Sequence, residues 1–305
     1  MPSLLHSLAP GKFGATVVPF KSVGLTPSVA LNPEQNSGDL FPKLIKIPGA
    51  DPRIQITMPF GPAYAALGLG VTELTALEIY LAKFSSYARA SGSVHTKWAL
   101  ATNARAAAII TGASVDQDGD LNAIVDIALL GDATAMAHPL AQTDNNALPT
   151  LASQPTLYTL GPMSINGTVR PGLMSAGVDL GQSLDIRRTD GSRYSTSAGL
   201  LGGAPKMVGE HGDPVTLLGV LGLLGLHITS NLIQYFRRYD ATSGVVSDAA
   251  GSALSVTMAA GYMIPTSIDA GQLSVARTGI EAHGTSVSGT HPLAISTSAT
   301  VPELS

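Results

Sequence analysis

Thr72-Glu73-Leu74-Thr75-Ala76-Leu77-Glu78-Ile79-Tyr80-Leu81-Ala82-Lys83-Phe84 is the stretch on which the fold turns. Leu74, Leu77, Leu81, Phe84 and Ala88 recur at spacings of three and four, which places them in one apolar stripe of an α-helix. Thr72 stands where an N-cap would accept a backbone N–H, with Glu73 in the first turn. The spacing predicts a helix from 72 to about 90, broken by Gly92. Thr96–Ile110 is Ala-rich, contains Trp98, the only tryptophan, and predicts a second helix; Leu121–Leu130 predicts a third.

Asp213-Pro214 opens the most apolar segment, with Asp as cap and Pro at the first helical position, where its missing N–H costs nothing. A helix is predicted from 214 to 239, closing with Arg237-Arg238 beside its negative end. Gly219, Gly222 and Gly225 each weaken such a helix by up to about 1 kcal/mol relative to Ala, which implies close approach of another backbone. The apolar run Val215–Ile228 is shorter than the roughly 20 residues of a membrane span, so a buried helix is expected and a membrane span is not.

Extended structure flanks these helices. Ala15–Phe20, Ser28–Leu31, Leu44–Ile47 and Arg53–Met58 are short apolar or alternating runs divided by Pro33, Pro42, Pro48 and Pro52, and read as strands or as an arm. Leu254–Met258, Gln272–Arg277 and Leu293–Thr297 alternate similarly near the C-terminus. Asn166-Gly167 and Asp190-Gly191 mark two hairpins, the second between Leu184–Arg188 and Arg193–Thr196. The resulting expectation is an α+β chain with a helical middle over 72–130 and 214–239. Four regions follow: an extended arm or edge strands (1–60), a mainly helical part (61–135), a loop- and hairpin-rich part (136–212), and a long apolar helix followed by strands (213–305).

Charge is scarce. The 305 residues include 17 Lys and Arg and 21 Asp and Glu, 12% together, against roughly 25% in an ordinary soluble domain. Only Asp248, Asp269, Arg277, Glu281 and Glu303 are charged between 241 and 305. Edge strands that face water usually carry charges that block edge-to-edge pairing, so this depletion implies covered strands. A net charge of −4 and a first 60 residues with five basic side chains argue against a basic, genome-binding arm. The absence of cysteine excludes disulfides and thiolate metal sites. Met1–Pro10 lacks the basic and apolar regions of a secretory signal.

Motifs that carry chemistry are few. Ser114-Val115-Asp116-Gln117-Asp118-Gly119-Asp120-Leu121-Asn122 resembles a calcium loop of the EF-hand or dockerin kind, with Asp116, Asp118, Asp120 and Asn122 as candidate ligands. Ser114 stands where Asp should be, and Val125 where a bidentate Glu is required, so an acidic turn joining helices is the preferred reading and no metal is expected. His6, His95, His138, His211, His227, His283 and His291 show no metal-type clustering. His211 and Asp213 are the one pair considered for acid–base chemistry, in a loop whose preferred reading is to cap the following helix. Arg187, Arg188 and Arg193 form the densest basic spot, open to weak nucleic-acid contact or to pairing with Asp185 and Asp190. No nucleophile elbow, phosphate loop or dinucleotide motif occurs, so no catalytic residue and no cofactor are assigned.

These readings converge on a structural subunit that covers its charge-poor surface with copies of itself. A viral or phage coat is expected, made in the host cytoplasm and residing in the virion. A hydrolase-like enzyme using His211 and Asp213, and a membrane-associated protein anchored by 215–236, are the alternatives.

Overall fold

In the computed structural model 59% of the residues are strand and 6% helical, which corrects the expected α+β class and its helical middle. The structure describes residues 5–34, 41–42, 44–85, 88–131, 137–189, 191–240, 243–247, 249–271, 274–286 and 289–302. Asp190, Asp248, Gln272 and Glu303, which figure in the sequence reading, lie outside them.

A ten-stranded sheet organises the molecule. From one margin to the other it runs Leu226–Ile228, Gly261–Gly271, Ser274–Gly284, Lys206–His211, Leu173–Asp179, Arg105–Asp116, Asn122–Leu130, Arg53–Pro59 and Ser22–Thr26, with Thr72–Leu74 added on Arg105–Asp116. A seven-stranded sheet is built around Leu77–Ser85, and a six-stranded sheet around Leu232–Tyr239 and Ala253–Met258. The ladders are antiparallel. Two further hairpins, Val29–Glu34 with Leu44–Ala50 and Gln182–Arg187 with Ser197–Gly202, form separate two-stranded units.

Each predicted helix in the middle of the chain is a strand or strand pair. The 72–90 stripe becomes Thr72–Leu74 and Leu77–Ser85; 96–110 falls in His95–Leu100 and Arg105–Asp116; 121–130 is the strand Asn122–Leu130. The cause is burial on both faces. In Arg105–Asp116, Ala106, Ala108 and Ile110 enter the main core, while Ala107 and Ile109 enter a second cluster with Ala128, Leu130 and Leu184. A strand buried on both sides reads as a continuous apolar run and fits a helical period as readily as its own. Ile79, Tyr80, Ile109, Ile110, Ile124, Val125 and Ile127 are β-branched or aromatic, types that pack well on a pleated surface.

The 214–239 segment divides. Among the described residues the helices are α1, Phe60–Leu67, which the sequence reading did not identify, and α2, Pro214–Leu221. Asp213 caps α2 as expected, its carboxylate accepting from the Thr216 N–H. Gly222, at φ 63°, then ends the helix, and the chain continues as Leu226–Ile228 and Leu232–Tyr239. Of the three glycines, Gly225 meets another backbone: a Cβ there would lie 2.5 Å from the Met263 carbonyl oxygen. Nothing lies within 4 Å of such a Cβ at Gly219 or Gly222.

Among the described residues the expected extended segments fall largely in strands, Thr16–Val18, Val29–Glu34, Leu44–Ala50 and Arg53–Pro59 at one end and Ala253–Met258, Ser274–Gly284 and Leu293–Ala299 at the other. One continuous core holds Ile54, Ile56, Val125 and Ile127 of the ten-stranded sheet, Leu77 and Ile79 of the seven-stranded sheet, and Phe236, Leu254 and Val256 of the six-stranded sheet. The large sheet takes strands from residue 22 to residue 284, so it draws on each of the four regions into which the sequence was divided.

Candidate assembly surface

The first margin of the ten-stranded sheet is Ser22–Thr26, a strand without a charged residue whose side chains are mostly exposed. The chain then leaves the sheet in the hairpin Val29–Glu34 and Leu44–Ala50. Along this arm Leu25, Val29, Leu31, Phe41, Leu44 and Ile45 are exposed, Leu31 by 63% and Phe41 by 79%.

The root of the arm is firmly held. Ala50 donates its N–H to the Arg193 carbonyl and bridges Tyr194. Beside it, the Asp51 carboxylate accepts from Arg188 Nη2 at 3.0 and 2.9 Å and from the Ser195 hydroxyl. Burial pushes the Asp51 carboxyl up, but the Ser195 and Arg188 hydrogen bonds and the Arg188 charge hold it below its ordinary value. Gly49 lies against the Arg188 guanidinium, where a Cβ would overlap Nη1 at 1.7 Å. The absent side chain therefore lets the two hairpins close on each other.

The opposite margin is equally apolar. Helix α2 buries Leu217 and Leu221 and turns Val215 outward, 82% exposed. The turn beyond it exposes Leu223 by 77% and Leu224 by 88%. Tyr262 donates its hydroxyl to the Leu224 carbonyl at 3.0 Å, which fixes the turn against the neighbouring strand.

The candidate chemical sites are placed as follows. Asp116–Asn122 is the turn of the hairpin between Arg105–Asp116 and Asn122–Leu130, not a connection between helices. Asp116 and Asp118 point into solvent, and Lys21 binds Asp120 at 2.9 Å. Among the described residues no group of three or more His, Asp or Glu is arranged to hold a metal ion.

His211 is buried at the end of Lys206–His211; its Nδ1 accepts the Asp213 N–H at 3.0 Å, while the Asp213 carboxylate is engaged in capping α2. His211 Nε2 and the Thr278 hydroxyl across the ladder are buried without a hydrogen-bond partner among the described residues.

Arg187 binds Asp185 at 2.9 Å, Arg188 secures the arm, and Arg193 lies over the Tyr194 ring. Among the described residues no helix is long and apolar enough to cross a membrane, and 215–236 comprises α2, a turn and strands in place of one helix.

Sequence reasoning missed the tightest charge cluster. Glu78 accepts from the Tyr80 hydroxyl at 2.6 Å, and Lys12 and Lys97 each approach its carboxylate at 3.0 Å. Burial pushes this carboxyl up, but the Tyr80, Lys97 and Lys12 hydrogen bonds outweigh it and hold it down at about 2. Burial first, then the Glu78 carboxylate, raises the Tyr80 phenol well above its ordinary value. The four groups converge from three neighbouring strands, and only the Glu78–Tyr80 pair is close in sequence.

A groove of about 720 Å³ runs between Ala15–Pro19, α1 and Thr150–Tyr158. No charged residue or histidine lines it, so it offers apolar and hydroxyl contacts. No protein-family model matches the chain, and no curated protein matches it.

Proposed function

We propose that this protein is a self-assembling structural subunit, the coat protein of a viral or phage particle, which functions by covering its surface with copies of itself. One observation carries the reading. The chain exposes 15741 Å², whereas a compact monomer of 31.1 kDa would expose about 12,000 Å². The chain has few charges with which to keep this surface in water: 17 basic and 21 acidic residues leave about 400 Å² per charge.

Large apolar side chains at two ends of the main sheet support the same reading, because contiguous exposed apolar patches mark contact sites. Sedimentation velocity and negative-stain microscopy of the purified protein over a range of concentrations test it. A large, regular assembly is expected; a stable monomer at high concentration overturns the proposal.

A further inference from the structure

A pocket of about 460 Å³ opens where the ten-stranded and six-stranded sheets meet, a volume within the usual range of small-molecule sites. Two strand irregularities shape it. Gly161 and Pro162 together oppose Tyr235 in the ladder with Leu232–Tyr239, and Met174 is the extra residue where Leu173–Asp179 meets Lys206–His211. Bulges of this kind interrupt regular pairing and redirect side chains, and they recur beside binding sites. The first is fixed from behind by buried Gln234, whose Nε2 donates to the Gly161 carbonyl at 3.2 Å.

The polar groups at the pocket come from distant stretches of the chain. Gln234 and Phe236 are buried, so strand alternation sets Arg237 and Tyr239 on the opposite face, two residues apart and both half-buried. Thr159, opposite Arg237 in the ladder, donates its hydroxyl to the Gly119 carbonyl at 3.0 Å. That bond holds the turn at 117–119 against the pocket and puts Gln117 and Asp118 at its exposed rim. Pro162 and Pro171 complete the apolar part of the wall. A guanidinium, a carboxylate, an amide and a phenol ring thus line one pocket.

We infer that this pocket binds a nucleotide with a guanine base, either free or as one unit of a single strand. Arg237 is a permanent cation with a planar fork of donors that suits a phosphate. The Tyr239 ring and the prolines suit the face of a planar base. The Asp118 carboxylate only accepts hydrogen bonds, so the base has to donate, and guanine offers two adjacent N–H groups on its Watson–Crick edge where uracil offers one. An inorganic anion would engage Arg237 alone, and a wholly apolar ligand would strip water from both charges without replacing it. The net charge of −4 supplies no general attraction to nucleic acid, so recognition falls to the pocket and not to a run of phosphates. The inference stands apart from the self-assembly reading, because a monomer binds in the same way.

Isothermal titration calorimetry of the full chain tests it with guanosine 5′-monophosphate, uridine 5′-monophosphate, guanosine, inorganic phosphate and a single-stranded RNA decamer containing one guanine. Saturable binding of guanosine monophosphate is expected below about 1 mM. It should be about tenfold tighter than that of uridine monophosphate, which lacks the second donor, and of guanosine, which lacks the phosphate. Y239A and D118N should each weaken it by about tenfold, while R187Q, in the basic hairpin, leaves it unchanged. Far-UV circular dichroism establishes that the variants fold; should Y239A not fold, Y239L and D118N are read by the same criteria.

A decamer at least about tenfold tighter than the mononucleotide identifies the ligand as a strand, and equal affinity identifies it as the free nucleotide. With one phosphate held, raising sodium chloride from about 0.1 to 0.3 M should weaken the decamer by only about twofold. Absence of saturation by both guanosine monophosphate and the decamer overturns the inference. So does displacement of the nucleotide by an equal concentration of inorganic phosphate, or wild-type affinity in both pocket variants. A loss of decamer binding above about tenfold over that salt range, or an R187Q variant weakened as much as Y239A, overturns it in favour of a surface phosphate contact.

Discussion

Glu78 shows how a single residue acquires its role from strands that meet only after folding. Its folded pKa of about 2 lies below the ordinary 4.5, so its contribution to stability is complete above pH 4.5 and is lost as the pH falls toward 2. His95 acts in the same direction. Burial first, then the Arg89 and Lys83 charges, lowers it from 6.5, so the stability it contributes is present above that value and declines on acidification. E78Q should destabilise the protein by about 1–3 kcal/mol at neutral pH, the usual worth of hydrogen bonds to a charged group. The difference between wild type and E78Q should shrink as the pH falls from 4.5 to 2. Urea unfolding across that range measures it, and a difference independent of pH would show that the carboxylate charge contributes nothing. Nothing in the spacing of Lys12, Glu78 and Lys97 announces the cluster, because the neighbours are created by strand pairing.

At the scale of elements, features specified by a few adjacent residues were legible. Asn166-Gly167 forms the expected hairpin turn, with φ angles of 47° and 84° and Ile165 paired to Thr168. The Asn166 side chain does more, since its Oδ1 accepts the N–H groups of Thr229 at 3.1 Å and Ser230 at 3.0 Å. N166A, which loses both acceptor contacts and puts at positive φ a residue that lacks asparagine's tolerance of the left-handed region, should cost about 1–3 kcal/mol. N166G removes the acceptor but relieves the backbone, so it should cost less; thermal melting compares the two. Asp213-Pro214 likewise starts a helix as read from sequence, but a start signal carries no information about length. The end at Gly222 was misread because the apolar run continues past it. That run serves a short helix, two exposed leucines and the strand Leu226–Ile228 instead of one helix face.

For the whole molecule, the decisive property is the distribution of apolar surface. A subunit that associates through uncharged margins should respond weakly to ionic strength. Between about 0.1 M and 1 M sodium chloride the Debye length falls from roughly 10 to 3 Å, so ion-pair contacts would be strongly weakened. If the protein self-assembles as proposed, the concentration at which it does so should change by less than about threefold over that range, as followed by light scattering. A tenfold loss of assembly at high salt would show that charged groups carry the contact. The same logic explains which parts of the apolar surface were legible. Composition gave a charge-poor chain and the short apolar runs of 1–60 were read as an arm or as edge strands, whereas Leu223 and Leu224 were assigned to a buried helix and their exposure emerged only from the structure.

What the sequence by itself determined is local or global, but not intermediate. Turn chemistry at Asn166-Gly167, the cap at Asp213, the extended character of the two ends and the shortage of charge each follow from neighbouring residues or from overall counts. The tertiary structure alone decided that the middle of the chain is β. Residues such as Ala106 and Ala107 are apolar because both sides of their strand are covered, by the main core on one side and by the Leu184 hairpin on the other. Two-sided burial erases the alternation by which a strand announces itself, and the covering layers come from distant stretches of the chain.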